Sequence, residues 1–315
     1  MRADPEALAG VLARRSADEM VAALGLAGAP SAVRAGARAL FSRASTPLGD
    51  VLARFDRAVA SAGVTAAADA ALRDFGARWT QDGALPKDGP LLVVANHPGA
   101  YDALVLLAAA GRDDVAVLAA DRSFLRALPA LSRHLLFLPD LVPEIVLDAG
   151  ASGAAGAGAR RSAADAAAAR SGGLLRACRH LSRGGALLHF GAGRIEPDPD
   201  FPPPRGEPVL HAWSRGTGAL VRAAARAGGR VAVAVVRGVH SPRVKRLLVT
   251  RVAERRGWTT LAPLLQVAVP AFHDVTAHVR FSDPIDAARG LANDAADDGA
   301  VTARVRGIAL SMLPR

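Results

Sequence analysis

The chain has 315 residues, 51% apolar and only 4% aromatic, so a large core is available and must rest on Ala, Leu and Val. Its 39 basic and 29 acidic side chains leave a formal charge of +10, a field that attracts phosphate-bearing partners such as nucleic acid, anionic lipid or coenzyme A-like ligands. The basic residues lack the aromatic interleaving of nucleic-acid binders, which argues against that class, and the lone Cys178 excludes an internal disulfide or a cysteine zinc cluster and suits a reducing compartment.

Met1–Ser16 carries Asp4 and Glu6 and no long apolar stretch, so it does not read as a signal peptide. No run reaches the ~18 apolar residues of a membrane span. Residues 5–80 read as helices, with Leu8, Val11, Leu12, Met20, Val21 and Leu24 at helical spacing. Ala29-Pro30 interrupts the first section. A second helix is expected over Ser31–Ser42, where Arg34, Arg38 and Arg43 lie beside Leu40 and Phe41. Such a basic amphipathic stretch either lies on an anionic membrane or docks on its own domain. Further helices are expected over 46–62 and 65–77.

The pattern changes at Gln81-Asp82-Gly83. Strands are expected at Pro90–Ala95, Val115–Ala119, Leu135–Leu138, Ala186–Phe190, Val231–Val236 and Thr276–Phe281. Helices are expected at Asp102–Ala110, Ser123–Leu131, Ser171–Ser182 and Arg215–Ala227. This alternation predicts an α/β domain, a mostly parallel central sheet flanked by helices, over 85–315, with an N-terminal helical region over 1–84. Residues 149–170 are almost wholly Ala, Gly, Ser, Arg and Asp and read as a flexible low-complexity insertion. Phe201-Pro202-Pro203-Pro204 reads as a stiff loop.

The chemistry concentrates in Asn96-His97-Pro98-Gly99-Ala100-Tyr101-Asp102, which leaves a strand and opens a helix. In parallel sheets the ligand site lies at the carboxyl ends of strands. Asp102, in the first helical turn, can reach back to one imidazole nitrogen of His97, fixing the tautomer and leaving the other nitrogen as a general base. Gly99 and the helix N-terminus can offer N–H groups to an anion or oxyanion. The alternative is a plain helix start, with Asp102 a first-turn acid and His97 a polar strand end. No G-x-S-x-G elbow is present, which speaks against a serine esterase. His273 and His278, five apart, make a poor metal pattern. His189 is the one other histidine worth testing.

The segment N-H-x4-D after an apolar strand resembles the first motif of the glycerolipid acyltransferase family, which includes the lysophosphatidic acid acyltransferases. Ala120-Asp121-Arg122-Ser123-Phe124-Leu125 with Pro129 resembles the second motif, and Gly184–Arg194 the third, F-P-E-G-T-R in most members. Val231–Val236 resembles the fourth, and Val279–Ile285 the closing strand. The third motif departs: Phe190 and Gly193 match, but Gly191 stands for the usual proline and Ala192 for the usual glutamate.

The resemblance implies an α/β acyltransferase working on an anionic membrane surface from the cytoplasmic side. It would move an acyl chain from acyl-CoA or acyl carrier protein, as co-substrate and without a further cofactor, to a lysophospholipid or glycerol phosphate-type acceptor. His97 would deprotonate the acceptor and Asp102 support the ring. Asn96, Gly99, Arg122, Gly193, Arg194 and Glu196 are the implied substrate- or phosphate-binding residues. Arg122 could instead pair with Asp121, and Glu196 could be a loop-surface charge. The altered third motif also leaves room for an inactive lipid-binding relative of the same fold.

Overall fold

The computed structural model describes residues 5–23, 26–99, 101–139, 168, 171–203, 206–255, 261–292 and 297–314. Ala100, Pro204 and, apart from Ala168, the insertion 149–170 lie outside the described residues.

Three helices open the chain, α1 (Pro5–Ala23), α2 (Ser31–Ala62) and α3 (Val64–Asp74), and an edge strand, β1 (Arg78–Asp82), follows. Next come β2 (Leu91–Ala95), α4 (Asp102–Ala110), β3 (Val115–Ala120), α5 (Ser123–Arg126) and β4 (Leu135–Leu138). Beyond the insertion lie α6 (171–182), β5 (Ala186–Phe190), α7 (Gly216–Arg226) and β6 (Arg230–Arg237). Three short helices follow, α8 (Pro242–Arg246), α9 (Leu248–Arg255) and α10 (Leu261–Ala268). The strands β7 (Thr276–Phe281) and β8 (Ile285–Asp286) and the helix α11 (Asp298–Ser311) close the chain.

The sheet order is β1-β7-β6-β2-β5-β3-β4, with β8 also paired to β6. Central β2 runs parallel to β5 and β6, and β5, β3 and β4 continue in parallel. Only β7 and β8 run antiparallel to β6, and β1 pairs parallel with β7. The sequence of β2, L-L-V-V-A, explains its central place: all five residues are buried, as a strand covered on both faces requires. Leu91, Val93 and Ala95 join the core under α3 and α4; Leu92 and Val94 join the core under α6, α7 and α11. The expected mostly parallel sheet flanked by helices, with a helical N-terminal region, is the observed architecture.

Four local expectations need correction. The helices expected at Ser31–Ser42 and 46–62 are one helix, α2, which runs through Pro47. Proline there removes a hydrogen bond and costs ~3 kcal/mol in a helix interior. Leu48, Val51, Leu52, Ala53 and Phe55 just beyond it pack into the core and offset that cost. The helix also crosses α1 closely: a Cβ at Gly49 would stand 2.5 Å from the Ala9 carbonyl oxygen. Residues 78–80, read as helical, lie in β1; its R-W-T-Q-D is polar because it forms a sheet edge.

The helix expected over Ser123–Leu131 lasts only to Arg126, ahead of Pro129, with a separate 3-10 turn at Leu131–His134. Buried Asp56 of α2 accepts from the N–H groups of Ala130 and Leu131, both at 2.9 Å, and so fixes that turn on the helical region. Finally, α8 to α11 and β8 were not anticipated.

Candidate active site

The carboxyl ends of β2, β5 and β6 lie side by side, because Ala95 is in register with Phe190 on one flank and Ala234 on the other. His97 leaves β2 at this edge. Next to it, Asn96 is fully buried and clasps β6: its Nδ2 donates to the Val236 carbonyl (2.8 Å), and its Oδ1 accepts from Val236 N–H (2.7 Å). Both ends of the amide are thereby used, so Asn96 is not available to a ligand as expected; it anchors the strand end from which His97 projects.

Asp102 is 1% exposed and opens α4. Its Oδ2 lies 2.7 Å from His97 Nδ1 and accepts from Gly99 N–H (2.8 Å). Its Oδ1 accepts from Ala103 N–H (2.6 Å). The two readings left open by the sequence are therefore joined in one carboxylate, which tethers its own helix start and orients the imidazole. Gly99 takes φ +91°, a backbone conformation that favours glycine, and its N–H faces Asp102 instead of an anion. The expected anion contact at Gly99 gives way to shaping the turn.

Glu196 departs most from expectation. It is 2% exposed, 99 residues from His97, and neither a surface charge nor open to substrate. One oxygen accepts from His97 N–H (3.0 Å), the other from His211 N–H (2.8 Å) and the Trp213 indole (3.4 Å). The Glu196 N–H returns a bond to the His97 carbonyl (2.7 Å). Burial pushes its carboxyl up, against the pull of the two backbone N–H groups.

Trp213 also accounts for Gly191, since a Cβ at that position would lie 2.3 Å from Trp213 Cδ2. The indole fills the space that a side chain at position 191 would need. Phe190 stacks on the His97 ring with centroids 4.2 Å apart and an interplanar angle of 27°. Neither Trp213 nor the stacking role of Phe190 was anticipated. The advance signal was that Phe190 ends an expected strand and matches the third of the motifs read in the sequence.

Burial opposes charge on His97, but the adjoining Asp102 carboxylate, through its charge and its hydrogen bond, carries the imidazole above its ordinary 6.5; Glu196 adds to this. With Nδ1 engaged and the side chain 29% exposed, Nε2 is the nitrogen left for a proton donor. His189 is different: it is buried on the other face of the sheet against Thr217 (2.9 Å), and burial depresses it to about 4.

The remaining expected residues separate. Gly193 is exposed at φ +64° and uses its N–H on the Phe190 carbonyl (3.1 Å). Arg194 is exposed, forms no hydrogen bond or ion pair among the described residues, and stands near enough to His211 to help burial hold that imidazole below its usual range. Arg122 pairs with Glu19 of α1 (3.6 Å), while Asp121 is held by Arg126. A cleft of about 460 Å³ between α3 and α4 lies at the far end of α4, around Gly111. That is roughly 13 Å along the helix from Asp102 at 1.5 Å per residue, so it takes no part in this site.

No protein-family model matches the chain, and no curated protein matches it. Among solved structures it is similar to the 1-acyl-sn-glycerophosphate (LPA) acyltransferase PlsC from Thermotoga maritima, with 14% sequence identity, 86% of this chain and 82% of that chain covered, and a TM-score of 0.45.

Replacing Glu196 by Gln turns one acceptor into an NH2 group facing a backbone N–H. Glu196→Gln is expected to lose about 1–3 kcal/mol of stability, the cost of leaving a buried donor unsatisfied. Chemical denaturation measures it, and unchanged stability would contradict the two-amide role.

Proposed function

We propose that the protein is an acyltransferase in which His97 is the general base and Asp102 its orienting carboxylate. The observation that carries this reading is the 2.7 Å contact between His97 Nδ1 and a buried Asp102 oxygen, which leaves Nε2 as the free nitrogen of a part-exposed ring at the carboxyl edge of a parallel sheet. The motif order along the chain, from Asn96–Asp102 to Val231–Val236, supports the same reading.

In the proposed reaction the acceptor hydroxyl gives its proton to His97 Nε2. The oxygen attacks the thioester carbonyl of acyl-CoA or acyl carrier protein. As the tetrahedral intermediate collapses, the new C–O bond stays, the C–S bond breaks, and the imidazolium returns its proton to the departing thiolate. No covalent enzyme intermediate is needed. Asp102 stabilises the imidazolium, Phe190 keeps the ring in plane, and Glu196 holds the backbone of His97 in place.

The acceptor class we propose is a lysophospholipid or glycerol phosphate-type alcohol presented at an anionic membrane. Arg194, exposed and without an acid partner among the described residues, is the group best suited to grip its phosphate. Gly193 gives the loop the left-handed turn that brings Arg194 out. Arg122, paired with Glu19, is the weaker phosphate contact.

Three outcomes follow. His97→Ala is expected to lower acceptor-dependent release of CoA thiol by at least ~10²-fold, the scale of general-base catalysis, with its melting temperature kept; retained turnover would remove the mechanism. The base must be neutral to act, and its folded pKa is raised. The rate is therefore expected to fall with acid through a midpoint above 6.5. Asp102→Asn removes the charge that favours the imidazolium, so the midpoint of the residual rate should move down. A midpoint that stays put would assign the acid limb to another group.

A further inference from the structure

Three short helices, α8, α9 and α10, follow β6, whose carboxyl end shares an edge with that of β2. They are fastened to the site. Gln266 of α10 donates to the Val239 carbonyl and accepts from Ser241 N–H, both at 2.6 Å. Pro263 of α10 stands 3.6 Å from where a Cβ on Gly99 would lie. Asp198, two residues after Glu196, accepts from the N–H groups of Gly238 (2.8 Å) and His240 (3.0 Å). Through α10, on which α8 and α9 pack, the three helices form a cap over the turn that follows His97.

The middle helix of the cap is inverted. Its inward side is fixed by Thr250, which donates to the carbonyls of Val244 (2.6 Å) and Leu247 (2.8 Å), and by the Glu254–Lys245 ion pair at 2.5 Å. Its outward side carries Leu248, Val249 and Val252, exposed by 75, 56 and 38%. At 100° per residue these three share one arc of about 100°. Arg251 flanks the arc, and Arg246 sits two residues before it; both are exposed and neither meets an acid among the described residues. The acids nearby are already committed, Asp274 to Arg243 and Glu254 to Lys245.

We propose that this face of α9 is a membrane-docking element that inserts Leu248, Val249 and Val252 at the headgroup boundary of an anionic leaflet and sets Arg246 and Arg251 on its phosphates. Charge complementarity selects the occupant: arginines without an acid partner among the described residues, beside outward aliphatic side chains on a chain of net charge +10, match a negatively charged lipid surface. A second copy of the chain would bring the same positive charge. Three aliphatic side chains also fall well short of the ~800 Å² per partner that a stable protein interface buries. Docking through α9 would hold the cap, and with it the His97 turn, at the interface where a lipid acceptor presents its hydroxyl. In that last respect the inference rests on the proposed acyltransferase reading; the docking itself does not.

Cosedimentation of the 315-residue protein with vesicles tests it. Vesicles of phosphatidylcholine with a phosphatidylglycerol fraction are compared with pure phosphatidylcholine, at low and high salt. The expected result is binding that needs phosphatidylglycerol and weakens with salt. The L248S/V249S/V252S variant should lose most of that binding with its melting temperature kept. R246E/R251E should lose at least about fivefold per arginine. Leu40→Ser, on the exposed first part of α2, should lose less than either. His97→Ala should bind like the wild type; a failed acyltransferase reading would show instead as wild-type protein that docks but gives no acceptor-dependent turnover.

Binding indifferent to lipid charge would overturn the proposal. So would undiminished binding by both α9 variants, or greater loss in Leu40→Ser. A wild-type dimer in sedimentation velocity that the α9 variant dissolves would assign the face to a second copy instead.

Discussion

A hydrogen bond of 2.7 Å between the His97 ring and a buried Asp102 oxygen organises the candidate site. An imidazole in solution chooses freely between two tautomers and rotates about its side-chain bonds. Here one nitrogen is tied to a carboxylate that is itself held by two backbone N–H groups, from Gly99 and Ala103. The ring also rests on Phe190. Because the carboxylate is almost fully screened from water, its charge acts on the ring with little loss, and it outweighs the desolvation that alone would leave His97 neutral.

Glu196 extends this restraint from the ring to its backbone. A sharp turn after β2 would leave main-chain groups of His97 short of partners, and the 190–196 loop supplies them in both directions. The space beside Gly191 is filled by Trp213, whose indole donates to Glu196. Gly191, Trp213 and Glu196 thus form one packed unit: a small residue, a large one that packs on it, and an acid that takes the indole N–H. This arrangement leaves Arg194 facing outward.

How far these features were legible in the sequence depended on distance along the chain. The segment from Asn96 to Asp102 was readable because its parts lie within seven residues of one another and the strand-to-helix switch is local. The buried strands were readable because five or six apolar residues between turn signals leave little choice. Strand β1 was not, since an edge strand such as Arg78–Asp82 is polar and lacks alternation. The unbroken run of α2 through Pro47 was not legible because the burial that carries it comes from packing on α1 and α3. The short helices of the cap, five to eight residues each, fall below the length at which periodicity is informative. Glu196 read as an ordinary loop acid, because nothing local reveals a partner 99 residues away.

The account turns on the state of one imidazole, which can be observed without any substrate. Long-range 15N–1H correlation spectra of histidine-labelled protein, with His97 assigned by its loss in His97→Ala, report tautomer and titration together. The structure predicts the Nδ1–H tautomer for neutral His97, with Nε2 bare, and a midpoint above 6.5. An Nε2–H tautomer, or a midpoint below 6.5, would contradict it.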